Sequence, residues 1–182
     1  MTFYDKKHKK LIENFEKLWN SRVLYKLSNM ASKYNINDIF QDNGAKVLQQ
    51  LIYLNLKNLP GREGNDAISP SGTEWEMKSI NLETSASGFS TNHHTNHEIL
   101  EKYRKVSWAF SIYNGIELES IYVMSAKMLE PLFEKWANKL NEEKRESLNN
   151  PKIPLKFVKE NGLKVYPINP LNPIDPDSIN QS

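Results

Sequence analysis

Hydrophobic residues recur at every third or fourth position early in the chain. Between residue 6 and about residue 32 they are Leu11, Ile12, Phe15, Leu18, Trp19, Val23, Leu24, Leu27 and Met30. This spacing predicts a long amphipathic helix whose apolar face needs a partner, either the body of the domain or the same helix in a second subunit. A second helix is predicted from about Asn43 to Asn55, with Asp42 at its N-cap position.

After Leu59-Pro60-Gly61 the pattern changes to short β-prone runs separated by turn residues. The Asn114-Gly115 pair is typical of a hairpin turn, because both residues adopt positive φ at little cost. The predicted elements are a hairpin of strands at 66–68 and 73–82, a helix at 96–105, a hairpin of strands at 107–113 and 116–124, a helix from 126 to about 147, and a final pair of strands flanking 160–162.

These elements predict a mixed α/β fold with a central mixed β-sheet flanked by helices, in one domain spanning residues 1–166. We expect the helical region at about residues 1–45 to help form a dimer. Residues 167–182 are rich in proline and asparagine and lack periodicity, which predicts a disordered tail.

Composition narrows the class of protein. The chain has 182 residues, of which 38% are hydrophobic, so it is long enough for one well-packed core. It contains no cysteine, which excludes disulfides, cysteine-ligated zinc and a thiol nucleophile. The formal charge of +2 does not by itself indicate a nucleic-acid binder. No apolar run is long enough to span a bilayer and no signal peptide is evident, so we expect a soluble, cytoplasmic protein without membrane contact.

The chemical signal is Asp66 followed ten residues later by Glu76-Met77-Lys78. Strand alternation sends Glu76 and Lys78 to one face, and the hairpin can bring Asp66 beside them. Two carboxylates and an ammonium suit Mg²⁺-assisted hydrolysis of a phosphodiester. The pattern alone is weak, because Glu142-Glu143-Lys144 repeats the triplet on a predicted helix, and charges on a solvated strand face remain an alternative.

Five ordered blocks of sequence resemble the PvuII family of type II restriction endonucleases, within the PD-(D/E)xK nuclease superfamily. The blocks are Asn37–Gly44, Leu59–Ala67, Glu76–Asn81, Gly88–Thr91 and Asn149–Pro154. Asn65 stands where the superfamily motif has proline. The resemblance implies a restriction-endonuclease-like fold, Mg²⁺ as cofactor, and a homodimer that cuts double-stranded DNA at a palindrome similar to CAGCTG with a blunt central cut. It also implies a cognate DNA methyltransferase that protects the same site.

The resemblance further assigns roles to residues. Asp66 and Glu76 correspond to metal ligands, with the Met77 carbonyl as a possible third, Lys78 handles the attacking water, and Tyr103 supports the active site. The residues that correspond to DNA contacts are Asp42, Ser90, His93, His94, Asn149, Asn150 and Lys152.

Several of these residues also have ordinary explanations. Asp42 can simply cap a helix, and Asn149-Asn150-Pro151 can be a plain turn. A zinc site is the alternative for His93, His94 and His97. Two other functions stay open, namely a nuclease of the same superfamily that recognises DNA structure, and a DNA-binding module without catalysis.

Overall fold

The computed structural model describes residues 10, 13, 14, 16–18, 21–40, 43–59, 65–84, 86–91, 94–167 and 174–180. The chain divides into two compact units, Met1–Gln50 and Leu51–Ser182. In the first unit, helix α1 (Arg22–Ser32) begins after Ser21, whose Oγ accepts from the Leu24 N–H at 3.4 Å. The extended backbone of Ser21 interrupts the helix predicted from residue 6 to residue 32, although the described residues before it are also helical.

The apolar residues near α1 are largely exposed in the single chain. Leu18, Val23 and Tyr25 are about 70% exposed and Met30 is 45% exposed. Ala31 is the one buried residue of α1. Among the described residues of this region, several apolar side chains are therefore exposed to solvent. The second predicted helix is confirmed as α2 (Gly44–Leu54). Asp42 and its predicted cap lie outside the described residues.

Eight strands follow among the described residues of the second unit. They are β1 (Lys57–Asn58), β2 (Ala67–Ile68), β3 (Glu74–Asn81), β4 (Gly88–Ser90), β5 (Ser107–Asn114), β6 (Glu117–Met124), β7 (Lys152–Pro154) and β8 (Leu163–Tyr166). Six of them form a sheet in the order β1-β2-β3-β5-β6-β8, and β4 pairs with β7 in a separate two-stranded sheet. The β3–β5 pair is parallel and all other pairs are antiparallel, so the predicted mixed sheet is confirmed.

Both predicted hairpins are present, with Gly72 and Gly115 at positive φ in their turns. The parallel β3–β5 connection contains β4 and helix α3 (His97–Tyr103), which Asn96 caps by accepting from the Ile99 N–H at 2.9 Å. Helix α4 (Ala126–Glu142) packs through Leu129, Phe133 and Trp136 onto a core cluster. That cluster contains Phe89, Trp108, Phe110, Met124 and Ile153 among others.

Two regions differ from the sequence-based expectations. Where the first of a final pair of strands was expected, the structure has helix α5 (Leu155–Asn161), because Leu155 and Val158 lie three residues apart and face the core together. Residues 176–180 of the expected disordered tail form a 3-10 helix, and Ile179 in it is only 6% exposed. Burial of Ile179 and hydrogen bonds from Ser71 and Ser107 to this segment stabilise it despite its prolines. Within the described ranges, no helix is both long and apolar enough to cross a membrane.

Candidate active site

The hairpin of β2 and β3 brings Asp66 beside Glu76. Ala67 pairs with Trp75, and the Asp66 N–H donates to the Trp75 carbonyl at 3.0 Å. The side chain of Asp66 continues this pairing, since its Oδ2 accepts from the Met77 N–H at 2.7 Å. A carboxylate thus takes the place of a backbone carbonyl just before β2 begins, and the hydrogen bond holds Asp66 against the middle of β3.

Glu76 and Lys78 lie on the face of β3 that covers the aromatic core. In the parallel pairing they stand opposite Trp108 and Phe110, and alternation places Ile80 on the same face. Lys78 Nζ lies 2.6 Å from Glu76 Oε1, with the two side chains only 21% and 10% exposed. The predicted common face of Glu76 and Lys78 is therefore confirmed, and their charges lie at the border of a hydrophobic cluster.

Burial is the largest single influence on the pKa of each residue of this pair. It raises the pKa of Glu76, Asp66 adds to the rise, and Lys78 opposes it without cancelling it. For Lys78, burial acts to lower the pKa, but the nearby charges of Glu76 and Asp66 together with Tyr103 outweigh it, so the pKa of Lys78 is raised. The site therefore combines a carboxylate with increased proton affinity and an ammonium that keeps its proton at neutral pH.

Tyr103 ends α3 next to this pair. Its ring packs edge-on against Trp108 at a centroid distance of 4.8 Å, and its carbonyl accepts from Trp108 Nε1 at 3.2 Å. It is near enough to contribute to the raised pKa of Lys78. The four candidate catalytic residues therefore belong to one site, with three supplied by the β2–β3 hairpin and one by α3.

The oxygen donors at this site fit a small divalent cation. Asp66 and Glu76 supply carboxylates, and the Met77 carbonyl points toward the Asp66 side of β3, because the N–H and C=O of one residue leave a strand on the same side. Mg²⁺ usually takes one or two protein carboxylates. A group of three or more His, Cys, Asp or Glu side chains suited to a metal is absent from the described ranges.

The described residues among those expected to read DNA lie on two neighbouring segments. Strands β4 and β7 run antiparallel with Ser90 opposite Lys152, and Thr91 Oγ1 donates to the Pro151 carbonyl at 2.6 Å. The pairing resumes at Thr95, which exchanges two backbone hydrogen bonds of 3.0 and 2.8 Å with Leu148. Two segments about 60 residues apart in sequence are thereby fixed side by side.

We call this set of residues the reader surface: Ser90, His94, Asn149, Asn150 and Lys152. All are exposed except the half-buried Asn150, which has a φ of 51°. The positive φ makes Asn150 part of a tight bend, so the turn interpretation and a role in reading DNA are compatible. His97 Nε2 lies 3.0 Å from Asn141 Oδ1 of α4. His93 lies outside the described residues.

A groove of about 840 Å³ adjoins the reader surface. Asn149 and Lys152 line it together with Lys135, Lys139 and Arg145, while Glu142 and Glu143 offset part of this positive charge. Asp66, Glu76 and Lys78 are not among its lining residues. The groove therefore adjoins the reader surface and not the candidate active site.

An ion-pair network beside the site was not predicted from the sequence. Arg104 follows Tyr103 and binds Glu130 of α4 through Nε and Nη2 at 2.7–3.1 Å, with Glu101 at 2.6 Å from Nη1. This ion-pair network ties the end of α3 to α4. No local pattern could reveal it, because Glu130 lies 26 residues from Arg104.

Comparison with known protein families agrees with the geometry of the site. A family model described as restriction endonuclease PvuII matches residues 10–166, which is well over half of the 182-residue chain. The match includes the β2–β3 hairpin, Tyr103 and the whole reader surface. The chain therefore belongs to the PvuII family of restriction endonucleases.

Proposed function

We propose that this protein is a homodimeric type II restriction endonuclease that hydrolyses both strands of double-stranded DNA at a short palindrome similar to CAGCTG, with a blunt central cut and Mg²⁺ as cofactor. The observation that carries the proposal is the contact of Glu76 with Lys78 at 2.6 Å, beside an Asp66 held by the Met77 N–H. Membership of the family makes a nuclease role for this arrangement the simplest explanation.

Asp66, Glu76 and the Met77 carbonyl would hold the cation. When bound, Mg²⁺ would polarise the scissile phosphodiester and make an attacking water more acidic. Asp66 is suited to its part because its hydrogen bond to Met77 fixes one oxygen and leaves the other available. Glu76 is largely desolvated, so a cation is a stronger partner for it than it would be in water.

Lys78 would orient the attacking water and offset the negative charge that develops on the phosphate. Its raised pKa means that it carries its proton in the absence of metal, which favours donation over proton abstraction. Tyr103, which contributes to that raised pKa, would help to hold the ammonium in place.

Sequence recognition would come from the reader surface. Asparagine and histidine present paired donors and acceptors that can distinguish base edges in the major groove, whereas Lys152 is suited to phosphate. Ser90 would add a direct or water-mediated contact, and Asp42 and His93, outside the described residues, would complete the set. A palindromic site calls for two-fold symmetry, and the exposed Leu18, Val23, Tyr25 and Met30 offer apolar surface for a second subunit.

The decisive experiment is digestion of a sequenced plasmid with purified protein in Mg²⁺ or in EDTA, followed by sequencing of the ends. We expect discrete blunt ends at CAGCTG in Mg²⁺ only. Lys78→Ala should abolish them, while Lys127→Ala, which removes the same charge from an exposed position, should cut normally. Nicking without a fixed sequence would instead indicate a structure-specific nuclease, and binding without cleavage a DNA-binding module.

Methylation supplies an independent test of the proposed site. A restriction enzyme of this kind requires a cognate methyltransferase that protects host DNA, so a plasmid methylated within CAGCTG should resist cleavage completely. Equal cutting of methylated and unmethylated plasmid would contradict the proposed pairing with a methyltransferase.

A further inference from the structure

The 3-10 helix Pro176–Asn180 is attached to the catalytic half of the sheet at two points. Ser71 Oγ donates to Asp177 Oδ2 at 2.7 Å, and the Ser107 hydroxyl donates to Asn180 Oδ1 at 2.9 Å. Ile179 between them is buried. The family match ends at residue 166, so this helix and its contacts lie beyond the part of the chain that the family model covers.

Asp177 organises the turn between β2 and β3. A carboxylate only accepts hydrogen bonds, so Ser71 gives its single proton to Asp177 and keeps its lone pairs for other donors. The hydroxyls of Ser69 and Thr73 lie 2.8 and 3.1 Å from Ser71 Oγ and can both donate to it. Ser69 Oγ in turn accepts from the Thr73 N–H at 3.2 Å. One carboxylate from the C-terminal segment therefore sets the direction of every hydroxyl bond in this turn.

This turn sets the position of Asp66. Strand β2 has only two residues, so a displacement of the turn passes directly to Asp66, which immediately precedes β2. The second attachment point acts on the same hairpin, because Ser107 pairs with Trp75, whose carbonyl accepts from the Asp66 N–H. The 3-10 helix thus contacts the hairpin both at its turn and beside the strand that carries Glu76.

We infer that Asp177 is a positioning residue for the catalytic centre: through Ser71 it holds β2 against β3 and so fixes the separation of Asp66 and Glu76. The inference rests on the proposed function, in which those two carboxylates bind the cation. Asp177 touches neither substrate nor metal in this role. Its effect should appear in the ordering of Asp66 and in the dependence on Mg²⁺, while metal-free affinity for DNA stays unchanged.

The test compares Asp177→Ala and Ser71→Ala, singly and together, with Asp177→Asn, whose side-chain oxygen can still accept from Ser71. Glu119→Ala is the matched control, since it removes the same charge from an exposed residue. The first readout is amide hydrogen exchange of Met77, whose N–H binds Asp66, in metal-free protein, with Ile112 in the core of β5 as reference. The second is the Mg²⁺ concentration that gives half-maximal cleavage.

Loss of the Asp177 contact should accelerate exchange at Met77 about fivefold to tenfold, without a matching change at Ile112, and should raise the half-saturating Mg²⁺ concentration by a similar factor. Asp177→Asn and Glu119→Ala should behave as wild type, and the double variant should be no worse than either single one. Equal acceleration at Met77 and Ile112, unchanged values for both readouts, or additive effects in the double variant would overturn the inference. A wild-type protein that cuts no DNA would instead refute the proposed function, and the exchange result would still report on Asp177.

Discussion

Removal of the Lys78 charge should destabilise the protein by an amount that depends on pH. The two charges lie 2.6 Å apart, and at an effective dielectric constant of about 20 their attraction is about 6 kcal/mol. Desolvation cancels much of it, so breaking one partner of a buried pair costs about 3–5 kcal/mol. Lys78 is 21% exposed, which brings the expected cost of Lys78→Met to about 3 kcal/mol, or about 6–12 °C in Tm.

That cost should decrease on acidification because Glu76, once unpaired, can take up a proton. Burial and Asp66 raise the pKa of Glu76 above the ordinary value of 4.5, while Lys78 acts to lower it, so the folded-state pKa should be higher in the variant than in wild type. Protonation of Glu76 then stabilises the folded variant fully below the ordinary value, and this contribution is lost as pH rises through the folded-state pKa. Between the two values the free energy of unfolding of Lys78→Met should fall by about 1.4 kcal/mol per pH unit. The stability lost relative to wild type should therefore be smallest near the ordinary value and largest above the folded-state pKa of the variant.

Urea denaturation in EDTA, followed by tryptophan fluorescence at several pH values, measures this effect directly, since Trp108 stands opposite Glu76 on β5. Glu76→Gln should be destabilised without relief at acid pH, because Lys78 stays charged there. A Glu76→Met and Lys78→Met double variant should recover most of the loss. The exposed Lys127→Met is the control. If Lys78→Met cost the same at pH 5.5 and pH 8, the electrostatic account of the site would be wrong.

Three further predictions concern cleavage, recognition and assembly. Because burial raises the pKa of Glu76 and a proton competes with a cation, the half-saturating Mg²⁺ concentration should rise as pH falls, approaching about tenfold per unit below that raised pKa. A metal titration in which it stays constant down to the ordinary value of 4.5 would contradict this. Lys152→Ala should lower the slope of log affinity for DNA against log salt concentration by about one per contact, whereas Asn149→Ala should leave that slope unchanged and cost about 1–3 kcal/mol of discrimination against near-cognate sites. Equal slopes for the two variants in fluorescence anisotropy would count against the reader surface. Val23→Glu, at a 72% exposed position, should lower the molecular mass measured by light scattering from that of a dimer toward that of a monomer, while Lys26→Glu should not. An unaltered mass for Val23→Glu would contradict a dimer interface at this position.

Much of the local structure could be predicted from the sequence because its signals are local. The hairpin at Gly115, the cap at Asn96 and the alternation along β3 each depend on a few neighbouring residues. The hairpin turn itself was predicted one residue too early, because Asn114 still pairs with Glu117 and only Gly115 of the predicted pair has a positive φ. Helix α5 was missed because its apolar residues are few, and their helical spacing matters only once Val158 packs into the core. The N-terminal helix was predicted too long, since a periodic pattern does not show that Ser21 adopts an extended backbone.

The candidate site likewise has some properties that depend on neighbouring residues and others that depend on tertiary contacts. Local patterns in the chain were enough to predict which charged groups meet, since alternation sends Glu76 and Lys78 to one face and the hairpin brings Asp66 beside them. How those charges behave depends on tertiary contacts, because burial raises the pKa of Glu76 and opposes the rise in the pKa of Lys78. Trp108 and Phe110, which lie opposite the pair on β5, are more than 30 residues away in the chain. Contact between distant segments likewise created the reader surface and fixed the segment around Ile179. Hydrogen-bonding pattern and side-chain period are properties of neighbouring residues, whereas desolvation and register depend on what the rest of the chain places around them.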